Sequence, residues 1–167
     1  LILIIHLKWT KLSSWLQNNT MADIFQDDFR DFIQALNDNQ VSYMVVGGFA
    51  VILYGHARVT GDMDVWVERT EDNYRRLVKA FHQFHMPVFD MTKENFLTHE
   101  EWDVFKFGRK PVAIDIMTKV KGLDFQQCLA MSREFEDGDL KIRTLHLNHL
   151  LQAKKEAGRL KDLDDID

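Results

Sequence analysis

The sequence predicts a single mixed α/β domain, and three observations predict it. Helical and strand patterns alternate along the chain, the length suits one domain, and no repeat or linker divides the sequence. The chain has 167 residues, and domains commonly have roughly 100–200. Apolar residues make up 46% and charged residues 28%. This is ordinary globular composition, which excludes wholesale disorder.

The first part of the chain reads as helix, strand, helix and strand. Over 23–36, apolar residues recur every three or four positions, which predicts an amphipathic helix with Asp23 as its N-cap. The run VSYMVV at 41–46 is apolar and rich in β-branched residues, as expected of a buried strand. The strand leads into Gly47-Gly48. A short helix is predicted to follow at 49–54 and to end at Gly55. A loop then precedes a second strand at 62–68.

The second part contains a helix, a hairpin and a mostly helical end. Thr70 is predicted to cap a helix that reaches residue 84, before Pro87 interrupts the chain. Apolar runs at 102–107 and 112–117 flank a short loop, so they are expected to form a β-hairpin. A helix at 123–131, a strand at 141–144 and mostly helix over 145–167 complete the prediction.

Charge, hydropathy and cysteine content narrow the class of protein. The net charge is −5 and the isoelectric point about 5.8. An acidic chain is not expected to bind bulk nucleic acid, which requires a basic footprint. The longest apolar run, Leu1–Ile5, is far shorter than the ~20 residues of a membrane span, so no membrane association is expected. The single cysteine, Cys128, excludes an intrachain disulfide and favours a cytoplasmic location.

Met21 resembles a natural start of the chain. Residues 1–20 are therefore expected to be an extension, and 21–167 to form the domain.

Three aspartates are candidates for a metal site. Asp62 and Asp64 are two residues apart on a predicted strand, so their side chains should project from the same face. Two adjacent carboxylates repel each other unless a cation or a shared proton lies between them. Asp115 interrupts an apolar strand, where an unpaired charge would be costly. If the two strands are neighbours, the three carboxylates can meet, and such oxygen-rich sites suit Mg²⁺ or Mn²⁺.

The Gly47-Gly48 pair lies between a buried strand and a helix. Glycines at such a turn let the backbone approach a ligand closely, and the N–H groups that begin a helix favour an anion such as phosphate. A tight turn alone would also explain the pair.

These features together resemble the polymerase-β-type nucleotidyltransferase superfamily. The resemblance is carried by Val46–Ala50, Gly55-His56, Arg58–Val67 and Ile114–Ile116, and the tail at 154–162 is similar to a segment that follows the catalytic strands. The most similar branch is the minimal bacterial one, which includes abortive-infection toxin-type and uncharacterised small nucleotidyltransferases. Many members have Gly-Ser in place of Gly47-Gly48, so one hydroxyl contact with phosphate is missing here.

The resemblance implies a mixed β-sheet flanked by helices, the nucleotidyltransferase fold. It also implies an enzyme that transfers a nucleoside monophosphate from a nucleoside triphosphate (NTP) to an acceptor hydroxyl by a two-metal mechanism. Asp62 and Asp64 would bind both ions, and Asp115 would complete the site of the ion that activates the acceptor. Gly47 and Gly48 would cradle the triphosphate.

Basic and polar residues are expected beside the nucleotide, because two divalent ions do not cancel the combined charge of three carboxylates and a triphosphate. The candidates to bind the nucleotide are Arg58, Thr60, Lys154 and Lys161, with Arg159 as a further basic residue. Trp66 shares the predicted face of Asp62 and Asp64 and is a weaker candidate to stack on the base.

Three interpretations of function stay open at this point. The leading one is a metal-dependent nucleotidyltransferase acting on RNA, a protein or a small molecule. The second is a non-catalytic binding or regulatory module with a protein partner, such as one half of a toxin–antitoxin pair. The third is a transferase that modifies aminoglycoside-type antibiotics.

Overall fold

The computed structural model describes residues 21–56, 60–109 and 112–158, and within these it contains one six-stranded sheet. The spatial order of the strands is β3-β4-β2-β1-β6-β5. Their bounds are β1 Tyr43–Val46, β2 Asp62–Val67, β3 Val104–Arg109, β4 Val112–Met117, β5 Arg133–Asp137 and β6 Leu140–Thr144.

Six helices surround this sheet in the described part of the chain. Their bounds are α1 Met21–Asp38, α2 Gly47–Leu53, α3 Glu71–Gln83, α4 Lys93–Leu97, α5 Phe125–Met131 and α6 Leu147–Glu156. The predicted class, one mixed α/β domain with a mixed sheet flanked by helices, is confirmed.

The sheet is mixed, and β2 lies near its centre. This strand pairs in parallel with β4 and antiparallel with β1. β1 in turn pairs in parallel with β6, whereas β3–β4 and β5–β6 are antiparallel pairs. The parallel contact between β2 and β4 brings together two strands that are far apart in sequence.

One face of the sheet forms the main core. Met63, Val65 and Ile116 are buried there. From the helical layer, Phe81 of α3 packs against Phe107 of β3 with ring centroids 4.6 Å apart, and it also contacts Phe32 of α1. Strand side chains alternate between faces, so the neighbours of these residues in sequence point to the opposite face.

On that opposite face, Trp66 of β2 is 2% exposed and packs edge-on against Phe125 of α5, with ring centroids 5.1 Å apart. Toward the beginning of β2 the face carries aspartates. The sheet is therefore covered by helices on both sides, with polar residues concentrated at one end of β2 and β4.

Three details differ from the sequence prediction. The first helix already includes Met21, so Asp23 lies inside it and is not its N-cap. Helix α4 was not expected, although Thr92 caps it by accepting a hydrogen bond from the backbone N–H of Asn95. Strand β5 was not expected either, because it is an edge strand with mostly exposed side chains.

The expected strand at 141–144 is present as part of β6, and the Thr70 cap on α3 is present. Across the described ranges, no helix is both long enough and apolar enough to span a bilayer.

Candidate active site

Asp64 and Asp115 lie directly opposite each other on neighbouring parallel strands. They are Cα partners in the register between β2 and β4. Asp62, two residues before Asp64, is opposite Ala113 on the same face. The intervening Met63 is 1% exposed and turned to the core. The structure thus brings all three predicted carboxylates to one end of one face, although Asp115 is more than fifty positions away along the chain.

Gly47 places backbone directly against the carboxylate of Asp64. Its φ is +64°, the left-handed region that L-residues rarely adopt. A Cβ built at this position would lie 2.0 Å from Asp64 Oδ2 and 2.9 Å from Asp64 Cγ. Since Val46 and Asp64 are opposite each other across β1 and β2, the glycine turn and the aspartate are held together by the sheet. Only glycine satisfies both the backbone conformation and this contact.

Asp115 is the most buried of the three carboxylates. The residue is 8% exposed, and its Oδ2 accepts a hydrogen bond from Lys106 Nζ at 3.0 Å. Its Oδ1 is buried and, within the described part of the chain, has no hydrogen-bond partner. A buried carboxylate oxygen left without a donor is unfavourable unless a cation or another ligand contacts it.

Lys106 is a charged residue of this site that the sequence analysis missed. It is the Cα partner of Asp115 across the β3–β4 hairpin, and its side chain is 75% exposed. The pKa of Lys106 is raised, first by its hydrogen bond to Asp115 and the negative charge of that residue, and to a smaller extent by Asp62 and Asp64. The ammonium therefore lies within the field of all three carboxylates. The predicted hairpin did not give this contact, because a loop at 108–111 would place Lys106 opposite Ala113, whereas β3 and β4 extend to Arg109 and Val112 and pair Lys106 with Asp115.

The predicted nucleotide-binding residues occupy different environments. Gly48 follows Gly47 in the first turn of α2. The hydroxyl of Thr60 donates to the backbone carbonyl of Asp62 at 3.1 Å, so it contacts the first residue of β2. Lys154 is 9% exposed, on the buried side of α6. It is therefore not part of a solvated helix face.

The other two candidates for the nucleotide, Arg58 and Lys161, lie outside the described residues, as does Arg159. The expectation that Trp66 stacks on a base is wrong, because this indole is buried against Phe125.

The donor chemistry of the site suits a hard divalent cation, since it consists of carboxylate oxygens, one of which lacks a partner among the described residues. The carboxylates are nevertheless not gathered around one point. Over the ranges that the structure describes, no three His, Cys, Asp or Glu side chains are close enough together to hold a metal ion. The expected convergence is thus replaced by a shared face on which Asp115 contacts Lys106.

Comparisons with known proteins identify the fold. No family model matches the chain, and no curated protein matches it. Among solved structures, the chain is similar to a protein from Thermotoga maritima described as a "putative nucleotidyltransferase", with a TM-score of 0.60 and 17% sequence identity. The match covers 89% of this chain and 94% of the Thermotoga chain. At this level of identity the likeness establishes a shared fold, which confirms the predicted nucleotidyltransferase fold.

Proposed function

We propose that this protein is a divalent-cation-dependent nucleotidyltransferase. It would transfer a nucleoside monophosphate from an NTP to an acceptor hydroxyl, breaking the bond between the α- and β-phosphates and releasing pyrophosphate. The observation that carries the proposal is the pairing of Asp64 with Asp115 across β2 and β4, next to the Gly47 turn. The name given to the Thermotoga protein of the same fold supports it.

The carboxylates account for the need for a cation. Asp62, Asp64 and Asp115 share one face, and their three negative charges oppose the approach of a triphosphate. In the structure these three side chains are not close enough together to hold an ion, so binding of Mg²⁺ or Mn²⁺ would have to draw them together. The bound cation would then neutralise the phosphates and make the acceptor hydroxyl easier to deprotonate. Asp115 Oδ1 has no hydrogen-bond partner among the described residues, and a cation bound to it would offset the free-energy cost of burying this oxygen.

The backbone at Gly47 and Gly48 would receive the phosphates. The carboxylate of Asp64 occupies the space that a side chain at Gly47 would fill, so the phosphates would be received by the backbone N–H groups that begin α2. Catalysis in such a site consists mainly of positioning and electrostatic stabilisation, and it needs no covalent nucleophile. The acceptor belongs to one of three classes: RNA, a protein or an aminoglycoside-like small molecule.

The proposal is tested by incubating the full chain with each of four labelled NTPs, with Mg²⁺ or Mn²⁺, and with acceptors from these three classes. We expect label transfer that EDTA abolishes. Asp64→Asn and Asp115→Asn should each lower the rate by roughly 10²–10³-fold or more, as expected when an electrostatic contact to the transition state is lost.

The matched control is Asp72→Asn. Asp72 is an exposed carboxylate of α3 that pairs with Arg76 at 2.9 Å, and its replacement should leave the rate unchanged. Unfolding temperatures verify that the variants are folded. Near-normal activity in either site variant would refute the proposed mechanism. Tight binding of NTP without transfer to any acceptor would instead indicate a non-catalytic module.

A further inference from the structure

Lys106 is the part of the carboxylate face that the proposed function does not use. It lies on β3, an edge strand of the sheet, and its ammonium contacts Asp115 Oδ2 at 3.0 Å. Asp115 is itself paired with Asp64 across the next strand boundary. Lys106, Asp115 and Asp64 therefore form a row across β3, β4 and β2, and Lys106 lies at the outer edge of the sheet.

We propose that Lys106 is a built-in counter-cation of this site, which neutralises Asp115 in the metal-free protein and competes with the divalent cation for that carboxylate. This inference rests on the cation site of the proposed function. It assigns to Lys106 a positioning role, exerted through Asp115.

The burial of Asp115 explains why a counter-cation is needed. A carboxylate that is 8% exposed and has one oxygen unpartnered among the described residues is unfavourable unless a charge compensates it. Asp64 and Asp62 add like charges on the same face. The hydrogen bond from Lys106 offsets part of this repulsion, so the metal-free fold tolerates the cluster.

The exposure of Lys106 explains how the site can exchange one cation for another. With 75% of its side chain exposed, the ammonium can leave Asp115 by rotation about its flexible stem without opening the core. A divalent cation that binds Asp115 must displace the ammonium or accept its repulsion. In either case Lys106 weakens metal binding when no nucleotide is present.

The test compares Lys106→Met with Lys141→Met in the full chain. Lys141 is the matched control because its Nζ lies 3.1 Å from Glu134 Oε1 on a neighbouring strand and its side chain is 62% exposed, but it is not part of the proposed site. Two quantities are measured at low ionic strength: the unfolding temperature in EDTA, and the dissociation constant of Mn²⁺ by calorimetry without nucleotide. A third variant, Lys106→Arg, keeps the positive charge.

We expect Lys106→Met to lower the unfolding temperature measured in EDTA by roughly 2–4 °C. This is the shift expected when a domain of this size loses one exposed ion pair. Lys106→Met should also tighten Mn²⁺ binding by about fivefold or more. Lys141→Met should leave the Mn²⁺ affinity unchanged, and Lys106→Arg should restore both wild-type values. High salt should reduce the differences, because it screens exposed charges.

Two failures are distinguishable. If the wild type binds Mn²⁺ and Lys106→Met binds it equally or more weakly, the competition is refuted while the proposed function survives. If neither the wild type nor any variant binds Mn²⁺, with or without NTP, both proposals are refuted. Binding that appears only after Lys106 is replaced would support the competition.

Discussion

Replacing Gly47 by alanine should displace the aspartate on which the site depends. The added Cβ would lie 2.0 Å from Asp64 Oδ2, 2.9 Å from Cγ and 3.2 Å from Cβ of the same residue. Because three atoms of a short side chain are too close, a small adjustment of its tip is not sufficient. Asp64 must rotate away from the turn, or the two strands must separate.

The size of the effect follows from two contributions. An alanine forced to keep a φ of +64° is destabilised by roughly 1–2 kcal/mol. Overpacking against Asp64 adds roughly 1–3 kcal/mol. Gly158→Ala separates the two contributions, because Gly158 has a φ of +65° and no heavy atom of the described residues lies within 4 Å of the point where its Cβ would be. Gly158→Ala should therefore lower the free energy of unfolding only by the cost of the positive φ.

The assay is the free energy of unfolding in denaturant for Gly47→Ala, Gly158→Ala, Asp64→Ala and the double variant at 47 and 64. Truncating Asp64 removes its two closest atoms, so alanine at 47 should be less harmful in that background, with a coupling of about 1–3 kcal/mol. Equal losses in Gly47→Ala and Gly158→Ala, together with zero coupling, would refute the reasoning.

Two further predictions concern the supports of the sheet. Asn73 is 2% exposed and bonds to the backbone N–H and C=O of Ser42 and to the C=O of Glu68, so Asn73→Ala should lower the free energy of unfolding by roughly 2–4 kcal/mol. Asn95→Ala, which loses one exposed bond, should lose far less; equal losses would contradict this explanation. Burial raises the pKa of Tyr43 from 10.0 to about 12. The neutral phenol is thus favoured in the fold, and stability should fall by about 2–3 kcal/mol as pH rises from 10 through 12. Tyr43→Phe should remove this part of the pH dependence in unfolding measurements, and identical pH profiles would show it to be wrong.

The elements that position the site could be predicted because local patterns determine them. The alternation around Asp62 and Asp64 predicted a strand with one apolar and one acidic face, and β2 has Met63, Val65 and Val67 buried. The two glycines likewise predicted the change from β1 to α2, in which they are the first two residues of the helix. In these segments the local pattern and the tertiary packing favour the same structure.

Other features depend on tertiary context. The side chains of β5 are exposed apart from half-buried Phe135, so no apolar alternation indicated a strand, although Asp137-Gly138 is a sequence typical of hairpin turns. Trp66 points to the same face of β2 as Asp62 and Asp64. Its end of the strand, however, is covered by α5 through Phe125. Alternation predicts a face, and it does not predict which part of the face another element will cover.

The role of Lys106 was missed for a related reason. Its segment was interpreted from its apolar residues as a strand of a hairpin, and the lysine was not paired with a partner. The register of β3 and β4 places it opposite Asp115. The loop predicted at 108–111 would instead place Lys106 opposite Ala113, so the contact depends on the observed register of the two strands.

The parallel pairing of β2 with β4 has a consequence for the order in which the molecule folds. The hairpins β3–β4 and β5–β6 close short loops and can form early, whereas Asp64 and Asp115 meet only when a long loop has closed. Lys106 and Asp115 belong to the same hairpin, so their ion pair can form before β2 pairs with β4 and brings Asp62 and Asp64 close to Asp115. During folding, Lys106 would therefore already neutralise Asp115 when the three carboxylates come close enough to repel one another.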